Sequence, residues 1–154
     1  MKEHQSKTDM MDLLLRTGST LRAQMPGGMG DQMGLHIIDC DPESNSAVFE
    51  SAVPPTWMRN PLGWLHGGMI ASLLDSSMGI HCAVYSGGAA TPTINLNINY
   101  LRPTPADRPL YIRSRIVRHG RSMVFAEGSL WADDENNPCA TATGVFHLPG
   151  KIGG

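Results

Sequence analysis

Alternating apolar and polar residues dominate the second half of the chain. A period of two places successive side chains on opposite faces of a strand, so this pattern predicts half-buried strands separated by short turns. Four successive strands of this kind, connected by turns, predict an antiparallel meander. The predicted strands cover 93–101, 109–117, 122–132 and 138–148.

The first half predicts two helices and a hairpin. Segment 66–85 has apolar residues at helical spacing, from Ile70 to Val84, and is the predicted central helix. Thr8 or Asp9 is the predicted N-cap of an earlier helix. The segments LHIIDC and SAVFESAV flank a turn-rich DPESNS and predict a β-hairpin. The expected fold class is therefore α+β, with a curved antiparallel sheet wrapped around one long helix.

Length and composition fit a single folded domain. The chain has 154 residues, of which 41% are hydrophobic and 17% charged, which is enough to fill a core and unlike disordered sequences. We expect an N-terminal tail and helix over 1–33, the main domain over 34–149, and a flexible glycine-rich tail over 150–154.

Net charge and cysteine spacing limit which partners and cofactors are expected. Twelve Lys and Arg residues against fourteen Asp and Glu give a net charge of -2, so nucleic acid is not an expected partner. Cys40, Cys82 and Cys139 are far apart and match no metal-ligand spacing, so neither a metal nor any other cofactor is expected. No apolar stretch approaches the ~18 residues of a membrane span, so no membrane is expected, and the cytoplasm is the expected location.

One stripe of the central helix is unusual for a surface helix. On a helical wheel, Gly68, Ser72, Asp75, Gly79 and Cys82 fall together, opposite an apolar face. A solvated stripe would carry Lys, Glu or Arg, and this one has only Asp75. A carboxylate removed from water needs hydrogen bonds or a raised pKa, and such groups are often functional. The alternative is that Asp75 only bonds a neighbouring serine or loop amide.

The start of the same helix has features of an anion site. His66-Gly67-Gly68 opens the helix, where backbone N–H groups are unpaired and a substrate oxygen can approach them. Such donors build an oxyanion hole without side chains. They lie ~10–12 Å by helical rise from Asp75. The alternatives are a flexible glycine loop and a His66 that only caps the helix.

These motifs together resemble a known family. The run from Asn60 through His66-Gly67-Gly68 to Asp75, followed by the polar strand TINLNINYLRP from Thr93, closely resembles hot dog-fold thioesterases of the phenylacetate-pathway and human thioesterase-superfamily type. The resemblance covers about residues 34–148. It implies a hot dog fold and hydrolysis of acyl-CoA thioesters, with an aromatic or medium-chain acyl group.

The resemblance also implies roles for individual residues. Asp75 matches the general base or nucleophile, and Gly67 and Asn60 match the pair that binds the thioester carbonyl. His66 matches a position that supports substrate binding, and Thr93 matches a residue that orients water. Strict alternation, however, places Thr93 on the face away from the core, so a bulge or a neighbouring subunit would be needed to bring it to Asp75.

Further substrate contacts are expected at a basic turn. Arg118 and Arg121 flank the turn before the strand at 122–132, and similar enzymes bind the CoA phosphates near this turn. Ser122 and Gly68 complete the expected substrate-binding set. The alternative is that these charges are simply solvated.

Two other functions within the same fold remain open. A non-catalytic acyl-CoA sensor would usually need a DNA-binding appendage, and the N-terminal helix is too short for one. A hydratase or dehydratase would need a histidine working with an acid in a different motif. The resemblance further implies a homodimer or a homotetramer built as a dimer of dimers, and the uncharged strand from Thr91 to Leu101 is the expected pairing edge.

Overall fold

Six strands and two long helices make up just over half of residues 5–150, which are the residues that this computed structural model describes. The predicted tail at 150–154 lies outside that range except for Gly150, and so do the first four residues. The helices are α1 (Lys7–Gln24), α2 (Met29–Gln32) and α3 (Gly67–Ala83), with 3-10 turns at Thr56–Met58 and Val84–Ser86. The strands are β1 (His36–Asp41), β2 (Ser46–Glu50), β3 (Thr93–Tyr100), β4 (Tyr111–His119), β5 (Met123–Trp131) and β6 (Ala140–His147).

The strands form one antiparallel sheet in the order β1-β2-β4-β5-β6-β3. The predicted α+β class, with a long helix against an antiparallel sheet, is confirmed. The predicted four-strand meander is wrong at its first step, because β3 pairs with β6 and not with β4. Segment 101–110 contains three prolines and is too long for a tight hairpin, so it carries the chain from the sheet edge back to the middle.

Helix α3 lies close against the sheet because strands β5 and β6 each have a glycine, without a side chain, at the contact. A Cβ added to Gly128 would stand 3.1 Å from Leu74 Cδ2, and one added to Gly144 would stand 3.3 Å from Met78 Cε. Leu74 and Met78 are fully buried at this contact. The glycines therefore allow α3 to pack closely against β5 and β6.

Helix α1 begins earlier than its predicted cap. The Ser6 side chain accepts a hydrogen bond from the Asp9 N–H at 3.1 Å, so Ser6 is the N-cap, and the predicted caps, Thr8 and Asp9, lie inside the helix. The serine hydroxyl satisfies a donor that has no partner within the helix. Met10 and Leu14 of α1 are buried in the same core as the sheet, and α1 packs against β1 and α3.

Candidate active site

Asp75 and Thr93 are in direct contact within one chain. The Thr93 hydroxyl donates a hydrogen bond to Asp75 Oδ1, and the donor and acceptor oxygens are 2.7 Å apart. Asp75 lies in the middle of α3 and is half-buried, and Thr93 is the first residue of β3. One carboxylate oxygen is thus held in place by the hydroxyl.

A β-bulge at the start of β3 makes this contact possible. Thr93 pairs with Phe146 and Asn95 pairs with Val145, so the register shifts between the two pairs. The extra residue turns Thr93 toward α3, while Ile94, which alternation places on the core face, is 54% exposed. Of the two routes that the sequence left open, the bulge is the one present in the structure.

Asn60 stabilises a tight loop with its own side chain. Its carboxamide oxygen accepts hydrogen bonds from the N–H groups of Leu62 at 2.9 Å and Trp64 at 3.1 Å. The two donors fix the orientation of the amide, because only its oxygen can accept them. The side-chain nitrogen makes no hydrogen bond within residues 5–150 and is free to donate to a ligand.

The start of α3 offers only one of its two glycine N–H groups as a free donor. His66 is the N-cap, and its Nδ1 accepts a hydrogen bond from the Gly68 N–H at 3.0 Å. The Gly67 N–H, at the first helical position, has no acceptor within the helix. Gly67 is therefore the backbone donor of the motif that remains open to a substrate oxygen.

Tyr100 is a site residue that the sequence analysis did not identify. Its hydroxyl donates a hydrogen bond to the Gly67 carbonyl at 2.8 Å and so holds the start of α3 against the far end of β3. Strand alternation, which places Thr93 on the face away from the core, places Tyr100 seven residues later on the core face. That position was the available signal, although alternation alone does not show that a side chain reaches a helix terminus.

Asn60 and Asp75 face different cavities. The Asn60 cavity, of about 360 Å³, is lined by residues that include Asn60, Trp64, Gly67 and Tyr100. The Asp75 cavity, of about 250 Å³, is lined by residues that include Asp75, Thr93, Gly79 and Phe146. Gly67 and Asp75 are eight residues apart on α3, or about 12 Å by helical rise. Within one chain, the two groups of polar residues are therefore separate half-sites.

The basic turn carries free positive charge. Arg118, near the end of β4, and Arg121 are exposed, and no carboxylate in the described part of the chain lies within the 4.0 Å of a salt bridge to either one. The neighbouring Ser122 accepts a hydrogen bond from the Leu148 N–H through its carbonyl at 2.8 Å, which ties the turn to the end of β6. The turn is thus a fixed, solvent-facing cationic surface.

His81 is buried between α3 and the sheet. It is 1% exposed, and its Nδ1 lies 3.1 Å from Ser114 Oγ on β4. Burial lowers the pKa of His81 from 6.5 to about 4, which keeps the imidazole neutral at physiological pH. Because solvent does not reach it, His81 is a core residue and not part of either half-site.

No group of three or more His, Cys, Asp or Glu side chains in residues 5–150 is placed to hold a metal ion. Over the same residues, no helix has the length and apolar character needed to cross a membrane.

Comparison with known proteins places the chain in a family. Residues 62–139 match the sequence model of the thioesterase superfamily. The chain belongs to this superfamily, and the resemblance found in the sequence is confirmed. The match includes Gly67, Asp75 and Thr93 but begins two residues after Asn60.

Individual relatives agree with this assignment. The chain is 34% identical to acyl-coenzyme A thioesterase THEM4 of Bos taurus over 122 residues, which cover 77% of this chain and 48% of the relative. It is 34% identical to acyl-coenzyme A thioesterase 13 of Mus musculus over 73 residues, 46% of this chain and 51% of the relative. The chain thus spans about half the length of the curated relatives it matches.

A solved structure supports the hot dog fold. A phenylacetic acid degradation-related protein from Ralstonia eutropha superposes with a TM-score of 0.72 at 28% identity, over 86% of this chain and 98% of that one. The long helix and antiparallel sheet described above are therefore those of a hot dog fold.

Proposed function

We propose that this protein hydrolyses acyl-CoA thioesters to the free acid and CoA. The observation that carries the proposal is the Asp75 carboxylate, held by Thr93 and facing a cavity, in a chain of the thioesterase superfamily. The relatives from Bos taurus and Mus musculus are named acyl-coenzyme A thioesterases, which supports the same substrate class for this chain.

Asp75 acts on the water or on the thioester itself. As a general base, it takes a proton while the water oxygen attacks the carbonyl carbon, and the C–S bond then breaks as the CoA sulfur accepts the proton. As a nucleophile, it attacks the carbonyl carbon and displaces the CoA thiolate, which takes up a proton, and water then cleaves the resulting mixed anhydride to the free acid and the Asp75 carboxylate. Rapid quenching with labelled acyl-CoA distinguishes the two, because only the second mechanism leaves the label on the protein.

In the transition state, negative charge develops on the carbonyl oxygen and must be stabilised by hydrogen-bond donors. The Gly67 N–H and the Asn60 side-chain nitrogen are free to donate and line the same cavity, which supports their assignment as the oxyanion hole. Donors of this kind stabilise the transition state by up to about 4 kcal/mol each. His66 positions the start of the helix through Gly68, and the Gly68 N–H is a structural donor.

The complete site is assembled from two copies of the chain. A thioester carbonyl places its oxygen about 1.2 Å from the carbon under attack, so oxyanion donors and base must converge on one point. In one chain they face separate cavities. We infer that Asn60 and Gly67 of one protomer act with Asp75 and Thr93 of its partner.

Strand β3 is the edge through which the two copies pair. It is the last strand of the sheet order, its eight residues carry no charge, and Thr93 and Tyr100 stand at its two ends. Antiparallel pairing of β3 with its symmetry copy would bring the Thr93 end of one protomer to the Tyr100 end of the other. Homodimers, or homotetramers built from them, are the assemblies that this pairing supports.

The substrate carrier is CoA, bound at the basic turn. Arg118, Arg121 and Ser122 provide the charge and donors for its phosphates, and the two arginines have no competing carboxylate in the described chain. The location that we propose is the cytoplasm, supported by three cysteines that are all free and buried.

A panel assay tests the function. Acetyl-, octanoyl-, palmitoyl-, benzoyl- and phenylacetyl-CoA are incubated with the full chain, and released thiol is measured. Thiol release that depends on Asp75 supports the proposal. Acyl-CoA binding without thiol release would instead indicate a sensor, and hydration of an enoyl-CoA would indicate a hydratase.

A further inference from the structure

The Asp75 cavity continues away from the carboxylate under the N-terminal part of the chain. On one side it is lined by Asp75, Gly79 and Ile80 of α3, and by Thr93 at the start of β3. The opposite side comes from the end of α1 and the segment that follows it. An acyl group whose carbonyl lies at Asp75 therefore meets this second wall.

Two exposed methionines form the mouth of the cavity. Residues 25–30 (Met-Pro-Gly-Gly-Met-Gly), here termed the methionine strap, contribute Met25 and Met29 to its lining. These side chains are 70% and 48% exposed, although both are apolar. Both side chains therefore present exposed apolar surface that a ligand in this cavity can cover.

The strap is tied to the fold at its ends, with glycines between. Arg22 and Asp31 form an ion pair at 3.0 Å, and Asp31 also accepts a hydrogen bond from the Gly27 N–H at 2.9 Å. Gly27 has a φ of +71°, and a Cβ there would meet no atom within 4 Å. The strap is thus held in place by its hydrogen bonds, and its left-handed turn at Gly27 places Met25 and Met29 at the cavity.

We propose that Met25 and Met29 determine which acyl groups this protein accepts, by packing their side chains against the acyl group bound in the Asp75 cavity. This inference rests on the proposed thioesterase function. Unbranched thioether side chains adapt to differently shaped ligands, which suits a wall that must pack against a chain or a ring.

Volume and charge define the acyl class. A cavity of roughly 150 Å³ holds one benzene ring, so 250 Å³ accommodates a single aromatic ring with a short linker or a medium-length chain. Arg22 is paired with Asp31 at the lining, so an anionic acyl group would find no free cation there. The preferred acyl group is therefore apolar and carries no negative charge.

Kinetics on strap variants test the proposal. The double variant Met25→Ser/Met29→Ser is compared with the native chain on acetyl-CoA and octanoyl-CoA. The ratio of kcat/KM for octanoyl-CoA to that for acetyl-CoA should fall by about tenfold or more, because apolar contacts are lost only for the longer chain. The variant Met25→Leu/Met29→Leu should restore most of the ratio. Leu15→Ser is the control, since Leu15 is an exposed apolar residue of α1 that does not line the cavity.

A binding measurement separates this inference from the proposed function. Calorimetry compares octanoyl-CoA binding to Asp75→Asn with binding to the same variant carrying both serine substitutions. Weaker octanoyl-CoA binding in the variant with the serines supports the role of the strap. This holds even if the native chain releases no thiol from any substrate, a result that would overturn only the thioesterase proposal. Equal binding, or an unchanged kcat/KM ratio in an active enzyme, would overturn the strap proposal and leave the function standing.

Discussion

Thr93, at the first position of an edge strand, donates its hydroxyl hydrogen to Asp75, in the middle of the helix that crosses the sheet, over 2.7 Å. The contact exists because a bulge between Thr93 and Asn95 rotates the threonine to the helix side. One Asp75 oxygen is occupied by this bond, which leaves the other to meet a water or a thioester. The irregularity in the strand thus orients the carboxylate.

Asp75→Asn should lower kcat by at least about 10², because general-base and nucleophilic contributions are at least of that order. Thr93→Val, which removes the hydroxyl but keeps the shape, should lower kcat less, while Thr93→Ser should retain most of it. Thiol release under saturating substrate measures all three. Unchanged turnover in a folded Asp75→Asn protein would contradict the assignment of Asp75.

Mixing two inactive variants tests whether the site is shared between protomers. Asn60→Ala and Asp75→Asn each disable a different half-site. If the site spans two copies, a mixed dimer carries one intact site and one doubly altered site. Random exchange between equal amounts then restores about a quarter of native activity, since half the dimers are mixed and each has one of two sites active.

The same mixture should stay inactive if each site lies within one chain, because no protomer in it then has both residues. Asp75→Asn mixed with Thr93→Val is the matched control, as both changes fall in the same half-site. That pair should recover only what the less impaired Thr93→Val protomer contributes.

The sequence predicts the elements of this fold better than their order. Apolar spacing over 66–85 and alternation over 93–148 depend on local burial, so helix α3 and strands β3 to β6 follow from them. The partner of β3 depends on the path of 101–110, which has no periodicity. The cap of α1 depends on which side chain reaches an N–H group, and Ser6 reaches it where Thr8 and Asp9 do not.

In the candidate site, too, local sequence pattern predicts some residues, while others depend on the tertiary fold. Gly67 and Asp75 are recognisable because glycines at a helix start and a lone carboxylate on an uncharged stripe are unusual in sequence, whereas Asn60 is identified only through the family resemblance. The position of Thr93 needs a bulge, which alternation cannot indicate. Met25 and Met29 lie in a glycine-rich segment with no pattern, and only the fold brings them to the Asp75 cavity.

Acid should destabilise the fold through His81. Burial lowers its pKa from 6.5 to about 4, so in the unfolded chain it binds a proton more readily than in the folded chain. The stability that the neutral ring contributes is present above about pH 6.5, falls as pH drops toward 4, and changes little below that. The loss is about 3 kcal/mol at most. Urea unfolding at about pH 7.5 and about pH 4.5 measures it.

His81→Leu/Ser114→Ala, which removes both partners of the buried contact, should flatten this pH dependence. His147→Gln, at an exposed histidine, should leave it as in the native chain. An equally steep pH dependence in the double variant would show that other groups cause it.

Arg121→Ala should raise KM for an acyl-CoA several-fold with little change in kcat, because it removes binding shared by ground state and transition state. The matching acyl-pantetheine, which lacks the nucleotide, should be unaffected, and added salt should weaken only acyl-CoA binding. Arg108→Ala is the control, since Arg108 pairs with Asp107 and Asp133 at the opposite end of β4. Equal effects on both substrates would place the nucleotide elsewhere.

Replacing Gly79 with alanine should stabilise the fold and at the same time reduce activity on the larger acyl groups. Glycine inside a helix costs about 0.5–1 kcal/mol relative to alanine. A Cβ at Gly79 would stand 3.6 Å from Phe146 Cε1, an ordinary contact, so nothing in the packing requires glycine. Gly79→Ala should therefore raise the free energy of unfolding by about that amount, as measured in urea.

Gly79 also lines the Asp75 cavity, one helical turn from the carboxylate, so the added methyl group takes room from the acyl group. In Gly79→Ala, kcat/KM should fall up to about tenfold for phenylacetyl-CoA or octanoyl-CoA and stay unchanged for acetyl-CoA. A stabilised variant with native acyl preference would show that the acyl group does not reach this turn. A destabilised variant would show that the glycine serves local packing, because the methyl group could then not be accommodated beside Phe146.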